Sequence, residues 1–178
     1  MIANLLTALR LSLAAPVALA FALPGVMPAN TLLWLILLAI ATDVADGRAA
    51  RRFGTASSRG MLFDHVTDFI FVTSGLAGLA IAWNISPLLP VLITVAFSQY
   101  VLDSYFLFRQ KSLRMSVLGR WNGVLYFFPL VAFSIGALAW LPASLAAAFA
   151  IGGEISVWLL ILSTIASIVD RAIAPLRA

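Results

Sequence analysis

The sequence contains no cysteine, a single histidine and few charged residues. Without cysteine the chain forms no disulfide bond and performs no thiolate chemistry, and with one histidine it lacks the nitrogen and sulfur ligands of a zinc site. Charged residues make up 10% of the 178 residues, whereas a soluble domain carries about 25%. A period-two alternation of polar and apolar residues, typical of an outer-membrane barrel, is also missing. These absences exclude a soluble domain and favour a helical membrane protein.

Hydrophobic residues make up 63% of the chain and recur in runs of about 20 residues, enough for a helix to cross a hydrocarbon core of about 30 Å. We therefore predict an all-α integral membrane protein with one domain over residues 1–178, a bundle of six transmembrane helices with a short N-terminal interfacial helix. Residues 1–10 form the predicted interfacial helix, although they could equally be the start of the first span. The spans are predicted at about residues 11–23, 31–45 (continuing as helix to residue 50), 60–83, 88–108 and 121–140, with a last span that ends near residue 168 after a break at Gly152-Gly153.

The basic residues are confined to a few connections. All eleven lie in four places, at residue 10, residues 48–59, residues 109–120 and the C-terminal residues 171 and 177. The three other connections contain none. Because lysine and arginine accumulate in cytoplasmic connections, all four places are predicted to be cytoplasmic. An even number of crossings follows, and we expect the chain in the inner (cytoplasmic) membrane of a bacterium.

Four of the seven acidic residues lie within one stretch, at Asp43, Asp46, Asp64 and Asp68. Spacings of three and four residues put each pair on one helix face. A charged side chain at mid-bilayer costs about 3 kcal/mol, so the four carboxylates must face the bundle interior or a water-filled cleft. Their mutual repulsion calls for cations, and an all-oxygen ligand set suits Mg²⁺ or Mn²⁺. The stretch therefore predicts two divalent cations a few Å apart, an arrangement used in phosphoryl transfer, on the cytoplasmic side.

Small and basic residues accompany the carboxylates at fixed spacing. The complete pattern is Asp43-x-x-Asp46-Gly47-x-x-Ala50-Arg51, eight further residues, and Gly60-x-x-x-Asp64-x-x-x-Asp68. It resembles the defining signature of the CDP-alcohol phosphotransferase (CDP-alcohol phosphatidyltransferase) family. Near the start, Asn4-x-x-Thr7-x-x-Arg10 is similar to a polar entry found in many members.

The resemblance implies an enzyme of phospholipid biosynthesis that transfers a phosphatidyl group from CDP-diacylglycerol to an alcohol and releases CMP. It implies that Asp43, Asp46 and Asp64 bind the two metals, while Asp68 contacts one metal and acts as general base. The residues that the resemblance places against the CDP-lipid are Gly47, Ala50, Arg51, Ser57, Gly60, Asn4 and Thr7. It also implies a homodimer, and we expect membrane lipid but no nucleic acid as a partner.

The second basic connection is the predicted site for an acceptor's own phosphate, through Arg109, Arg114 and Arg120. Ser116-x-x-Gly119-Arg120 is similar to a pattern in members that use glycerol 3-phosphate, with arginine in place of the usual lysine. Glycerol 3-phosphate is therefore the first choice of acceptor, and inositol phosphate, serine or a second phospholipid are alternatives. His65 is expected to pack beside the site rather than to bind metal. A small cation or proton transporter is the alternative of a different class, because intramembrane carboxylates also serve ion transport.

Overall fold

The computed structural model describes residues 2–52, 58–103 and 117–173, and these ranges are helical with no strand. The side chains of residues 2–4, 46–52, 58 and 59 are outside this description. The helices are α1 (Ile2–Ala22), α2 (Ala29–Arg52), α3 (Ser58–Ala82), α4 (Leu88–Leu102), α5 (Val117–Leu125), α6 (Phe127–Gly136) and α7 (Ala143–Ile173). Only Tyr126 separates α5 from α6, so these two short helices occupy the predicted fifth span.

Three helices are long and apolar enough to cross a membrane, over Leu5–Ala22, Gly60–Ala82 and Ala143–Ile173. The apolar parts of α2 and α4, Ala29–Ala45 and Leu88–Leu102, are shorter. The all-α membrane character of the chain is thus confirmed over the described residues, while the six crossings stay a prediction. The predicted helical continuation of α2 through residue 50 is also confirmed, since α2 runs to Arg52.

The prediction of a separate N-terminal interfacial helix is wrong. Helix α1 continues without a break from Ile2 to Ala22, so the segment before Arg10 is the beginning of the first long helix. The physical reason is the side chain of Arg10, which is wholly buried and faces acidic residues of α2 and α3. A helix lying along the membrane surface could not deliver this side chain to the bundle interior.

The predicted break at Gly152-Gly153 is also wrong, because α7 is one helix over 31 residues. One of the two glycines, Gly153, allows close helix packing instead of a break. A Cβ atom on Gly153 would lie 2.8 Å from the ring of Phe133 on α6, whereas a Cβ on Gly152 would meet nothing within 4 Å. Glycine at position 153 therefore lets α7 approach the aromatic surface of α6.

The core lies where two helix groups meet. Helix α1 packs most extensively on α3 and also on α2, while α7 packs on α6 and α4. At the α1–α3 contact a Cβ on Gly78 would lie 2.3 Å from the carbonyl oxygen of Ala18, so only glycine permits this approach. The rings of Phe71 on α3 and Phe127 on α6 stack with centroids 5.8 Å apart and connect the two groups. This packing fixes the face of α3 that carries Asp64 and Asp68.

Candidate active site

Three carboxylates from two helices converge on one arginine. Asp43 comes from α2, Asp64 and Asp68 come from α3, and their Oδ1 atoms surround Nη1 of Arg10 on α1. Nη1 lies 3.2 Å from Asp43 Oδ1 and donates a hydrogen bond of 3.1 Å to Asp64 Oδ1. It also donates to Asp68 Oδ1. The four-residue spacing on α3 aligns Asp64 and Asp68 on one face, and α2 brings Asp43 to the same depth.

The burial of these groups differs between the cation and the anions. The Arg10 side chain is 0% exposed, whereas those of Asp43, Asp64 and Asp68 are 37%, 25% and 26% exposed. The guanidinium thus closes the inner side of the cluster, and the carboxylates remain open toward a cavity. A buried charge is tolerated only when it is paired, and Arg10 meets this condition with three acidic partners.

Arg10 belongs to the Asn4-x-x-Thr7-x-x-Arg10 motif, but the sequence did not predict that it would meet the carboxylates. The sequence does contain a sign of this role. A lone arginine in an apolar helix costs free energy in the bilayer, just as an aspartate does. Such an arginine requires acidic partners, and the cluster at Asp43, Asp64 and Asp68 is the richest source of them. Thr7, one turn earlier on α1, is also buried and lies on the same side of the helix.

The side chains of several predicted site residues are not described by the structure. Asp46, Gly47, Ala50 and Arg51 lie in the final turns of α2, beyond Asp43, and Asn4 lies near the start of α1. Gly60 is described near the start of α3, one turn before Asp64. Ser57, Arg109 and Arg114 are outside the described residues.

Asp64, His65 and Asp68 form a group that could hold a metal ion. One ligand atom from each of the three residues lies within 4.8 Å of the others. The His65 ring also packs edge-on against Tyr100, with centroids 6.2 Å apart, and whether His65 binds metal stays a prediction. Carboxylate oxygens dominate the donor set, and they already surround a cationic group. This arrangement suits a hard divalent cation such as Mg²⁺ or Mn²⁺.

A cavity of about 830 Å³ opens beside the carboxylates. Asp43, Asp64 and Asp68 line one part of its wall, and Arg120 on α5 and Arg171 on α7 line another. Of the predicted acceptor residues, Arg120 is therefore the one that the described structure places at the cavity. Cations and carboxylates around one cavity can hold a phosphate-bearing molecule next to a metal site.

Arg171 is a further cavity residue that the predicted site does not include. Its Nη1 atom lies 3.9 Å from Asp103 Oδ2, and its guanidinium carbon lies 5.1 Å from the centre of the Tyr100 ring. Asp103 thus pairs with a basic residue of α7. Because Arg171 is more than 100 residues from every carboxylate of the cluster in sequence, spacing alone could not connect them.

Buried hydrogen bonds fasten α5 and Tyr126 to α7. The Ser163 hydroxyl donates a 2.6 Å hydrogen bond to Oδ1 of the buried Asn122, and the hydroxyl groups of Tyr126 and Thr164 are 2.8 Å apart. In an apolar bundle such bonds are retained because their partners cannot turn to water instead. They hold the wall of the cavity that carries Arg120 against the helix that carries Arg171.

The deep part of the cavity is apolar. Its walls there include Phe69 and Val72 of α3, Ile93 and Phe97 of α4, and Val131 of α6. The rings of Phe69 and Phe97 are stacked at 4.3 Å. The cavity as a whole is amphipathic, because both charged and apolar side chains line it.

A comparison with curated proteins finds no match to this chain. A comparison with protein families finds that the CDP-alcohol phosphatidyltransferase family matches residues 1–169. The match spans α1 to all but the last residues of α7, and thus includes every helix that contributes to the carboxylate cluster and the cavity. The chain therefore belongs to the CDP-alcohol phosphatidyltransferase family, whose enzymes act in phospholipid synthesis as transferases that use CDP-alcohol substrates.

Proposed function

We propose that this protein transfers a phosphatidyl group from CDP-diacylglycerol to the hydroxyl group of an alcohol, with release of CMP. The observation that carries the proposal is the convergence of Asp43, Asp64 and Asp68 at the mouth of an amphipathic cavity. A lipid diphosphate needs both parts of this site, since its head group is anionic and its tails are apolar.

The carboxylate cluster is proposed to hold two divalent cations, Mg²⁺ or Mn²⁺. Asp43, Asp46, Asp64 and Asp68 supply the ligands, and the three described members already face one cationic group. When bound, the cations would neutralise charge on the diphosphate and on the departing CMP. Gly47, Ala50, Arg51, Ser57 and Gly60, with Asn4 and Thr7 from α1, are the proposed contacts to the CDP-lipid.

Asp68 is the proposed general base. The acceptor hydroxyl oxygen forms a bond to the phosphatidyl phosphorus, and the bond from this phosphorus to the bridging oxygen of CMP breaks. The bonding electron pair leaves with CMP, and the hydroxyl proton passes to the Asp68 carboxylate. Asp68 suits this role because it belongs to the cluster and also lines the cavity from which an acceptor would approach.

The acceptor is proposed to carry an anionic group that Arg120 and Arg171 hold across the cavity from Asp68. Arginine binds phosphate oxygens with a planar fork of donors, which orients the bound group as well as attracting it. Glycerol 3-phosphate is the first acceptor to test, with Arg109 and Arg114 as further candidate contacts. Inositol phosphate, serine and a second phospholipid are the alternatives.

We place the enzyme in a bacterial inner membrane as a single domain over residues 1–178, with the carboxylate cluster facing the cytoplasm. The confinement of basic residues to alternate connections supports this orientation. A homodimer is proposed on family membership alone.

The test is release of CMP by purified protein in detergent, supplied with CDP-diacylglycerol, Mg²⁺ or Mn²⁺ and one alcohol at a time. We expect release that depends on the acceptor and stops when a chelator is added. No release with any acceptor, together with no binding of CDP-lipid by folded protein, would refute the proposal and favour a transporter.

A further inference from the structure

Arg10 occupies the position at which the carboxylates of the cluster point. Its Nη1 atom has Asp43 Oδ1 at 3.2 Å and Asp64 Oδ1 at 3.1 Å and also bonds Asp68 Oδ1, while the side chain is 0% exposed. One guanidinium nitrogen thus contacts a carboxylate oxygen of all three aspartates. The arginine thus acts on the cluster as a cation bound at its centre.

The same three oxygen atoms are the ones that divalent cations need. A cation of the Mg²⁺ type binds carboxylate oxygen at about 2.1 Å, closer than a guanidinium can approach. Two divalent cations and a guanidinium within a few Å would also repel one another strongly in a partly buried site. Arginine stays protonated throughout, so it cannot relieve this repulsion by losing its proton. Movement of its side chain is the remaining response.

We propose that Arg10 competes with divalent cations for the oxygens of Asp43, Asp64 and Asp68, so that its guanidinium would leave these oxygens when the cluster holds metal. The proposal rests on the metal-dependent part of the proposed function. It gives Arg10 two effects of opposite sign: the arginine stabilises the folded protein without metal, and it weakens metal binding because the metals must first displace it. A residue that merely held the aspartates in place for the metals would instead strengthen metal binding.

The experiment compares wild type with Arg10→Gln and Arg10→Lys in detergent. Mn²⁺ binding is measured by electron paramagnetic resonance of the free ion, and thermal unfolding is followed with and without chelator. Thr164→Val is the matched control, because it removes a buried hydrogen bond between α7 and Tyr126 at a position outside the cavity lining.

For Arg10→Gln we expect the Kd for Mn²⁺ to fall on the order of tenfold, as expected on removal of a nearby like charge. The unfolding temperature in chelator should fall, and added Mn²⁺ should raise it by more than in wild type. Arg10→Lys keeps the charge and should restore stability in chelator and a Kd close to that of wild type. Thr164→Val should lower the unfolding temperature but change neither the Kd nor the response to Mn²⁺.

A Kd for Arg10→Gln that is unchanged or higher than in wild type would overturn the proposal. If Arg10→Gln is recovered only from preparations that contain Mn²⁺, both proteins are purified in Mn²⁺ and then treated with chelator. The proposal then requires that it unfold while wild type stays folded, and survival of both proteins would overturn it. None of these measurements needs turnover, so CMP release by the same wild-type preparation tests the proposed function separately.

Discussion

Replacement of Asp68 by asparagine removes the proposed general base, and with it one of the four proposed metal ligands. Asp68→Asn keeps the size of the side chain, and an amide oxygen can still accept the hydrogen bond from Arg10 Nη1. The amide cannot take a proton from an acceptor hydroxyl at neutral pH. The carboxylates of Asp43 and Asp64 remain in place for the metals.

A positioned general base contributes about 10²-fold to 10⁴-fold to a rate, and each factor of ten corresponds to about 1.36 kcal/mol of activation free energy. We therefore expect kcat for CMP release to fall at least 100-fold in Asp68→Asn, which is about 2.7 kcal/mol or more. Binding of CDP-lipid in the presence of Mn²⁺ should weaken by less than about tenfold, because most of the cluster remains.

The assay measures initial rates of CMP release at saturating donor and acceptor, with CDP-lipid binding measured on the same preparations. Glu154→Gln is the control, since it makes the same change of carboxylate to amide at an exposed position on α7 outside the cavity lining. Its kcat should equal that of wild type. A kcat for Asp68→Asn within about threefold of wild type would show that another group takes the proton.

Three further perturbations test the ligands, the acceptor site and the packing. Asp43→Asn should weaken metal-dependent binding of CDP-lipid itself, seen as a higher Kd in Mn²⁺, and binding as tight as in wild type would exclude Asp43 as a ligand. Arg120→Gln should raise KM for an anionic acceptor with little change in kcat, and an equal effect on an uncharged alcohol would contradict its role in holding an anion. Gly78→Ala should destabilise the fold by about 1 to 3 kcal/mol, because the new Cβ would lie 2.3 Å from the Ala18 carbonyl oxygen. Thermal unfolding measures this loss against Gly152→Ala, whose Cβ meets nothing within 4 Å, and equal stability of the two variants would refute the packing argument.

The membrane class and the pairing of the aspartates follow from the sequence because each rests on a strong local constraint. Apolar runs of helical length leave few alternatives in a bilayer, and a charge in such a run must find a partner or a cavity. For these reasons α2 and α3 could be placed, and the convergence of Asp43 with Asp64 and Asp68 could be expected, without any tertiary information.

Contacts between helices that are distant in the sequence could not be predicted in the same way. Gly152-Gly153 has the composition of a helix break, yet the adjacent Phe133 ring of α6 makes Gly153 a close contact inside a continuous helix. Likewise, Arg171 reaches the cavity only because α7 returns beside α4, where Tyr100 and Asp103 meet it. Such contacts depend on which helices become neighbours, and hydrophobic patterns in membrane helices say little about this.

The close contact at Gly78 links the two ends of α3. Gly78 lies ten residues after Asp68 on one continuous helix, which separates them by about 15 Å along its axis. The partner helix α1 carries both the Ala18 carbonyl at that contact and the Arg10 guanidinium at the aspartates. The axial alignment of α1 with α3 is thus set far from the chemistry, and a shift of even 1 Å there would change every distance between the arginine and the aspartates. Residues far from the aspartates can therefore determine the geometry with which Arg10 meets the carboxylates.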